Sequence, residues 1–145
     1  MRGIARAALL ALLAAAAVGC ASLTDQPPPD LDGTTWVAVR VAGEQPAAAA
    51  APSLTFDGEQ ITGNTGCNSF GAKVRIEGGR ILVDGLWSTA IGCPEPIATV
   101  EQLFLNALGR ATSIRYDGPN LVIDGGGGEI VLVETPVPGG IPVGT

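Results

Sequence analysis

The sequence predicts an α+β domain: a small, strongly curved antiparallel β-sheet built of hairpins, with one α-helix, about Pro96–Leu108, packed on it. Three observations carry this expectation. The pattern apolar–acidic–Gly–x–x–apolar recurs as Phe56-Asp57-Gly58-Glu59-Gln60-Ile61, Ile76-Glu77-Gly78-Gly79-Arg80-Ile81 and Tyr116-Asp117-Gly118-Pro119-Asn120-Leu121. The segments flanking each copy alternate apolar and polar residues with the period of a strand. A single stretch, beginning at Pro96, changes to a helical period.

Ahead of this domain, residues 1–19 read as a lipoprotein signal peptide. Arg2 and Arg6 give the positive start, Ala7 to Val18 an uncharged apolar run, and Ala17-Val18-Gly19-Cys20 a small-residue end with a thiol; this is the pattern of a cleaved secretory leader. A spanning helix needs roughly 20 apolar residues, and this run gives way earlier to Gly19, Cys20, Ser22, Thr24 and Asp25. Small side chains let a peptidase reach the extended backbone, and the Cys20 thiol can carry a diacylglycerol through a thioether. Cys20 is therefore the expected lipidation site; the competing reading is an ordinary cleaved signal with a cysteine beside the cut. Residues 20–30, with Asp25-Gln26-Pro27-Pro28-Pro29-Asp30, are expected to form a Pro-rich tether, since proline favours an extended, semi-rigid chain. Residues 31–134 make the domain, and residues 135–145, rich in Pro and Gly, a disordered tail.

Charge and cysteine usage narrow the setting. Without Arg2 and Arg6 the chain keeps six basic residues against 14 acidic ones. The basic residues Arg40, Lys73, Arg75, Arg80, Arg110 and Arg115 are scattered, which excludes the clustered phosphate neutralisation that nucleic-acid binding needs. Membrane attachment then falls to the lipid on Cys20, and more than one acyl chain is needed for a stable anchor. Subtracting Cys20 leaves Cys67 and Cys93 as an even pair in an exported, oxidising setting, read as a disulfide. A reactive thiol pair or a metal site are the rival readings. The chain has no Cys-x-x-Cys and no His, so the usual redox and zinc spacings are missing.

Within the domain the first strand is expected at Thr35–Val41. The repeated turns place an acidic residue before glycine, which supplies the positive φ of a tight hairpin; the flanking pairs Leu54/Phe56, Val74/Ile76, Ile81/Val83, Ile114/Tyr116 and Leu121/Ile123 mark the strands as three hairpins. A fourth turn, Gly125–Gly128, feeds a strand at Ile130–Val133. Ile97, Val100, Phe104, Ala107 and Leu108 form the helical stripe, with Pro96 in the first turn, Glu95 and Glu101 toward the positive end and Gly109 placed for a left-handed C-terminal cap; these are the usual end signals. The stripe is expected to cover one face of the sheet, with Cys93 tying the helix entrance to the Gly63–Ser69 loop.

Few residues offer chemistry. Absence of His removes the commonest acid–base apparatus. Glu95 and Glu101 lie six apart and are expected to face different directions rather than form a glycosidase pair. Asp124-Gly125-Gly126-Gly127-Gly128-Glu129 lacks the ligand spacing of a calcium loop and the Gly-Lys-Ser/Thr of a phosphate loop, and reads as a flexible hairpin loop. Asn68 is expected to satisfy loop backbone groups, as Asn does in turns, with ligand binding as the other reading. Trp36 and Trp87 are expected in the core or half-buried in the sheet; either, if exposed beside Phe70, marks a contact patch.

Gly66-Cys67-Asn68, then Ser88-Thr89-Ala90-Ile91-Gly92-Cys93-Pro94-Glu95, then a helix with Glu101 and Phe104, resemble the META domain (HslJ-like) family of bacterial envelope lipoproteins. Leu31-Asp32-Gly33-Thr34-Thr35-Trp36 and Leu54-Thr55-Phe56 are also similar, so the resemblance spans Leu31 to Val133. Many relatives have Met just before the second cysteine where this chain has Ile91-Gly92, and Ala47–Ala51 resembles a family-variable loop. The resemblance implies a small α+β fold, an envelope setting, links to heat stress and antibiotic tolerance, and the motif residues Gly66, Cys67, Asn68, Cys93 and Glu101; it supplies no catalytic residue. The expected protein is a monomeric, lipid-anchored module on the extracytoplasmic side of the membrane. In a cell with two membranes it sits at the outer membrane or faces the periplasm. Its role is expected to be non-catalytic, binding an unidentified protein or envelope ligand or supporting envelope integrity under stress, with no cofactor or metal. An exported protease inhibitor with a rigid loop near Cys67 and a carboxylate-dependent hydrolase are the alternatives.

Overall fold

A computed structural model describes residues 30–136 of the chain. The leader, Cys20, residues 20–29 and residues 137–145 lie outside the described residues, and with them the expectations placed there. Eight strands follow in order, β1 (Thr35–Val41), β2 (Ser53–Asp57), β3 (Gln60–Asn64), β4 (Ser69–Glu77), β5 (Arg80–Ser88), β6 (Ala111–Asp117), β7 (Asn120–Gly125) and β8 (Ile130–Thr135), with helix α1 (Ile97–Gly109) between β5 and β6.

The strands form a closed, antiparallel, up-and-down barrel, β1 pairing with β8 from Thr35↔Thr135 to Val41↔Ile130. This corrects the expected curved sheet with a helix on one face. The physical reason is that alternation and turn chemistry are local, whereas closure depends on the first and last strands finding one another across the whole domain. Closure also removes the free edges that an open sheet would have to protect. The sheet's inner face surrounds the core, including Trp36, Leu54, Phe56, Ile61, Phe70, Ile114, Leu121, Ile123, Ile130 and Leu132, all nearly or fully buried. β8 ends at Thr135, whose hydroxyl donates to the Thr35 carbonyl at 3.2 Å, one residue past the expected end of the domain.

The three repeated turns are two-residue hairpins, Asp57↔Gln60, Glu77↔Arg80 and Asp117↔Asn120. In each, glycine holds the first central position at φ +58 to +61, the requirement of a type II′ turn. Strand alternation puts all three at one end of the barrel, with the chain entry at Leu31–Thr34 and the end of β8. Tyr116 lies here, its ring centroid 6.2 Å from that of Trp36. Burial, then the negative charges of Glu134 and Asp30, push the Tyr116 hydroxyl above its ordinary value of 10.0.

At the opposite end, α1 reaches β1, β5, β7 and β8. β1 and β5 stand across the ring from each other, so the helix crosses the barrel's mouth instead of lying along a sheet face. Val100, Phe104, Ala107 and Leu108 turn inward, as the stripe predicts, and Phe104 meets Phe70 edge-on at 5.3 Å. Pro96 is the N-cap residue and the Glu95 carboxylate accepts from Thr99 N at 3.2 Å and Thr99 Oγ1 at 2.7 Å, so Glu95 serves the helix start as expected. Gly109 differs: it is the last helical residue, without positive φ, and a Cβ there would sit 3.3 Å from Leu86 Cδ2. Its small size lets β5 approach. The glycine loop after β7 is packed in the same way, since a Cβ on Gly127 would lie 2.7 Å from Ala107 Cα.

Candidate functional site

The motif residues converge under the start of α1. In the loop from β3 to β4, Asn64 Oδ1 accepts from Gly66 N at 2.8 Å, and Thr65 Oγ1 accepts from Asn68 N at 2.9 Å and Cys67 N at 3.3 Å. These local bonds give Asn and Thr the turn-forming role their short side chains suit. Gly66 has φ +97, and a Cβ on it would run into the Ala50 carbonyl. Only glycine fits both the conformation and the space.

Asn68, 1% exposed, then joins three segments. Its Oδ1 accepts from Ile91 N at 2.7 Å and Thr89 Oγ1 at 2.9 Å, while Nδ2 donates to Ile91 O at 3.0 Å and to both Glu101 carboxylate oxygens at 3.0 and 2.9 Å. The expected role of Asn68, satisfying loop backbone, is what this geometry shows, with the addition that the backbone belongs to a different loop. Glu101 also accepts from Thr65 Oγ1. It therefore faces into the cluster from the second turn of α1 and ties helix to loop, where the sequence suggested a partner for the helix dipole. Cys67 and Cys93 sit at disulfide distance with Cα atoms 6.2 Å apart, which brings the loop after β3 beside the helix entrance, where the sequence reading placed a bridge.

Sequence reasoning named Gly66, Cys67, Asn68, Cys93 and Glu101 as motif residues, included Thr89 and Ile91 in the motif run without a role, and missed Thr65. The spacing Thr65-x-x-Asn68 at a turn was the available signal for Thr65. The sulfurs of Cys67 and Cys93 and a Glu101 oxygen lie within 4.8 Å of one another. Such a group suits a cation only with free thiolates, whereas here the sulfurs face each other and the carboxylate is already hydrogen-bonded. Among the described residues no buried side-chain polar atom lacks a partner. The cluster is thus a lock: each donor and acceptor is engaged by a neighbour, and the segments Thr65–Cys67, Thr89–Ile91 and α1 are held as one body.

The surface concavities lie elsewhere: one is beside the chain entry at Leu31 and Asp32, one runs from β4 and β5 to β6, and two adjoin along the outer face of β3, β4 and β5. Here Trp87 departs from the expectation of a core or half-buried residue, being 54% exposed. The cause is a bulge: Lys73 pairs with Asp84 but Gly71 with Trp87, and Gly85 has φ +63. The extra residue in β5 turns Leu86 toward the core and Trp87 outward, where strict alternation from Ile81 and Val83 would have sent Trp87 in. Phe70, by contrast, is fully inside.

A META domain family model matches residues 29–136. Two solved structures have the same fold. An NMR structure of a protein from Burkholderia xenovorans has a TM-score of 0.58 at 22% identity, covering 72% of this chain and 83% of that one. A second NMR structure has a TM-score of 0.61 at 19% identity, covering 71% of this chain and 90% of that one. A search of curated proteins gave no match.

Proposed function

The chain belongs to the META domain family, and from that premise we propose that it is a lipid-anchored, extracytoplasmic module that acts by binding, in support of the envelope, and not by catalysis. The observation that carries this is the Asn68–Glu101 lock. The motif residues form hydrogen bonds that hold the cap of the barrel together, which supports a rigid scaffold whose activity resides on its surface. The compartment is argued from Cys20 after its apolar run and from the Cys67/Cys93 pair, since a persisting disulfide fits an oxidising setting.

The protease-inhibitor reading draws on the Thr89–Pro94 loop, which presents Ile91 at 66% exposure beside Cys93. A protease docking at Ile91 would need its backbone N–H and C=O, and Asn68 holds both. That ranks the inhibitor behind a surface-binding module. A hydrolase would need two carboxylates converging on one bound substrate, and Glu101, the carboxylate in the motif, is engaged by Thr65 and Asn68.

Membrane fractionation and labelled-palmitate incorporation of Cys20→Ala test the anchor: loss of label and release from the membrane are expected, and unchanged anchoring would refute it. Crosslinking the anchored protein in its native envelope tests the binding role. A reproducible adduct lost on unfolding the domain supports it, and no adduct under any crosslinking chemistry counts against it.

A further inference from the structure

The outer face of β3–β5 carries features that the lock does not explain. The indole of Trp87 lies against β4 at Gly71, where a Cβ would meet Nε1, Cε2 and Cζ2 at 2.8–2.9 Å. Glycine opposite the tryptophan therefore lets the ring lie down on the strand, with much of its surface in solvent. An aromatic covering a strand glycine is a known stabilising arrangement, and it accounts for that contact. It does not account for the groove beside the ring, lined by Gln60, Thr62, Lys73 and Asp84. Lys73 and Asp84 also line the neighbouring concavity with Glu59 and Arg75, so the two are continuous.

The chemistry of this strip is specific. Lys73 and Asp84 oppose each other across the ladder, but the ion pair among the described residues is Arg115–Glu129, so both charged groups remain available to a ligand. Two basic and two acidic side chains balance along the groove, which suits a neutral ligand more than an anion or a cation. The exposed Leu82 also lines the strip, but the pairing order Arg75↔Leu82, Lys73↔Asp84, Gly71↔Trp87 puts the charged pair between it and the indole, so the aromatic plane is flanked by donors and acceptors and is not part of a contiguous apolar patch. A ring with an apolar face and a hydroxylated rim matches it: C–H bonds against the indole, hydroxyls to Asp84, Lys73 and Gln60.

We propose that the groove beside Trp87 binds a neutral pyranose saccharide, stacked on the indole and hydrogen-bonded to Asp84 and Lys73. The proposal rests on the binding reading above and names its ligand class. The bulge at Gly85 supplies the second argument, since it is what brings an aromatic residue out of the core register onto the polar face.

The test is cosedimentation of the full anchored chain, in a detergent without a sugar headgroup, with insoluble β-1,4-linked polymers of N-acetylglucosamine and of glucose. Saturable binding to at least one is expected, weakened about tenfold or more by Trp87→Ala, the order of one aromatic contact, largely kept by Trp87→Phe, and weakened by Asp84→Ala. Circular dichroism confirms that each variant folds. Absence of binding to either polymer, or equal binding by Trp87→Ala, overturns the proposal. If the crosslinking described above captures a protein while both polymers fail, the saccharide assignment falls and the binding reading stands.

Discussion

Asn68→Ala removes the centre of the lock, and the expected cost follows from its bonds. Its two bonds to the Ile91 backbone and the one from Thr89 contribute about 1 kcal/mol each, and the donation to the charged Glu101 carboxylate about 1.5–3 kcal/mol. Ile91 and Thr89 are exposed, so water replaces part of what they lose. Glu101 is half-buried and its partner leaves a gap, so most of that contribution is forfeited. The net expectation is about 3 kcal/mol of destabilisation, a large share of the roughly 5–15 kcal/mol typical of a domain. Urea unfolding followed by far-ultraviolet circular dichroism, with the disulfide intact, measures it as a lowered midpoint at unchanged slope. Glu101→Gln, alone and combined with Asn68→Ala, should show coupling of about 1 kcal/mol or more. A loss below about 1 kcal/mol for Asn68→Ala, or strict additivity in the cycle, would mean that the bonds to Asn68 do not hold the cap together.

Three further outcomes are expected. The Cys67–Cys93 link spans a sequence separation of 26, so Cys67→Ser with Cys93→Ser should lose about 3.5 kcal/mol by loop entropy; the wild type should show the same drop in urea midpoint on reduction, and insensitivity to reductant would refute the bridge. Gly127→Ala drives a Cβ into the Asn106–Ala107 backbone and should cost about 2 kcal/mol, whereas Gly126→Ala, facing the mobile end of Arg110 at 3.5 Å, should cost less than half as much; equal melting temperatures would contradict the packing. Tyr116 is the chain's single tyrosine, so absorbance at alkaline pH reads it alone. Its midpoint should lie above 10.0. Below that pH the hydroxyl is neutral folded or unfolded and costs nothing; as pH rises past 10.0 the unfolded chain ionises first, so stability falls until the folded hydroxyl ionises too.

How much of this was legible follows from the range of each signal. The II′ turns at Gly58, Gly78 and Gly118 were readable because a tight turn is decided by adjacent residues. The helix stripe Val100-Phe104-Ala107-Leu108 was readable because periodicity is likewise local. Barrel closure was not, because Thr35 and Thr135 carry no mark of each other. Trp87 was misplaced for a subtler reason: the bulge at Gly85 adds one residue, and period-two reasoning inverts every position beyond it. The cysteine pair, Asn68 and Glu101 were found as types and as motif, but that the Asn68 amide would clasp Ile91, 23 residues on, needs the loop in three dimensions.

The pairing of Thr35 with Thr135 leaves the described chain's two ends side by side at the turn end of the barrel, and this sets how the domain answers force. Pulling the ends apart would peel β1 from β8 one rung at a time, the geometry in which a ladder is weakest. A load transmitted through the N-terminal end alone, against something gripped on β4 and β5, pulls β1 along its own axis, so the rungs on both its sides resist together. A chain held from residue 30 and engaged on the far wall is therefore loaded in shear, the stronger direction of the same hydrogen bonds.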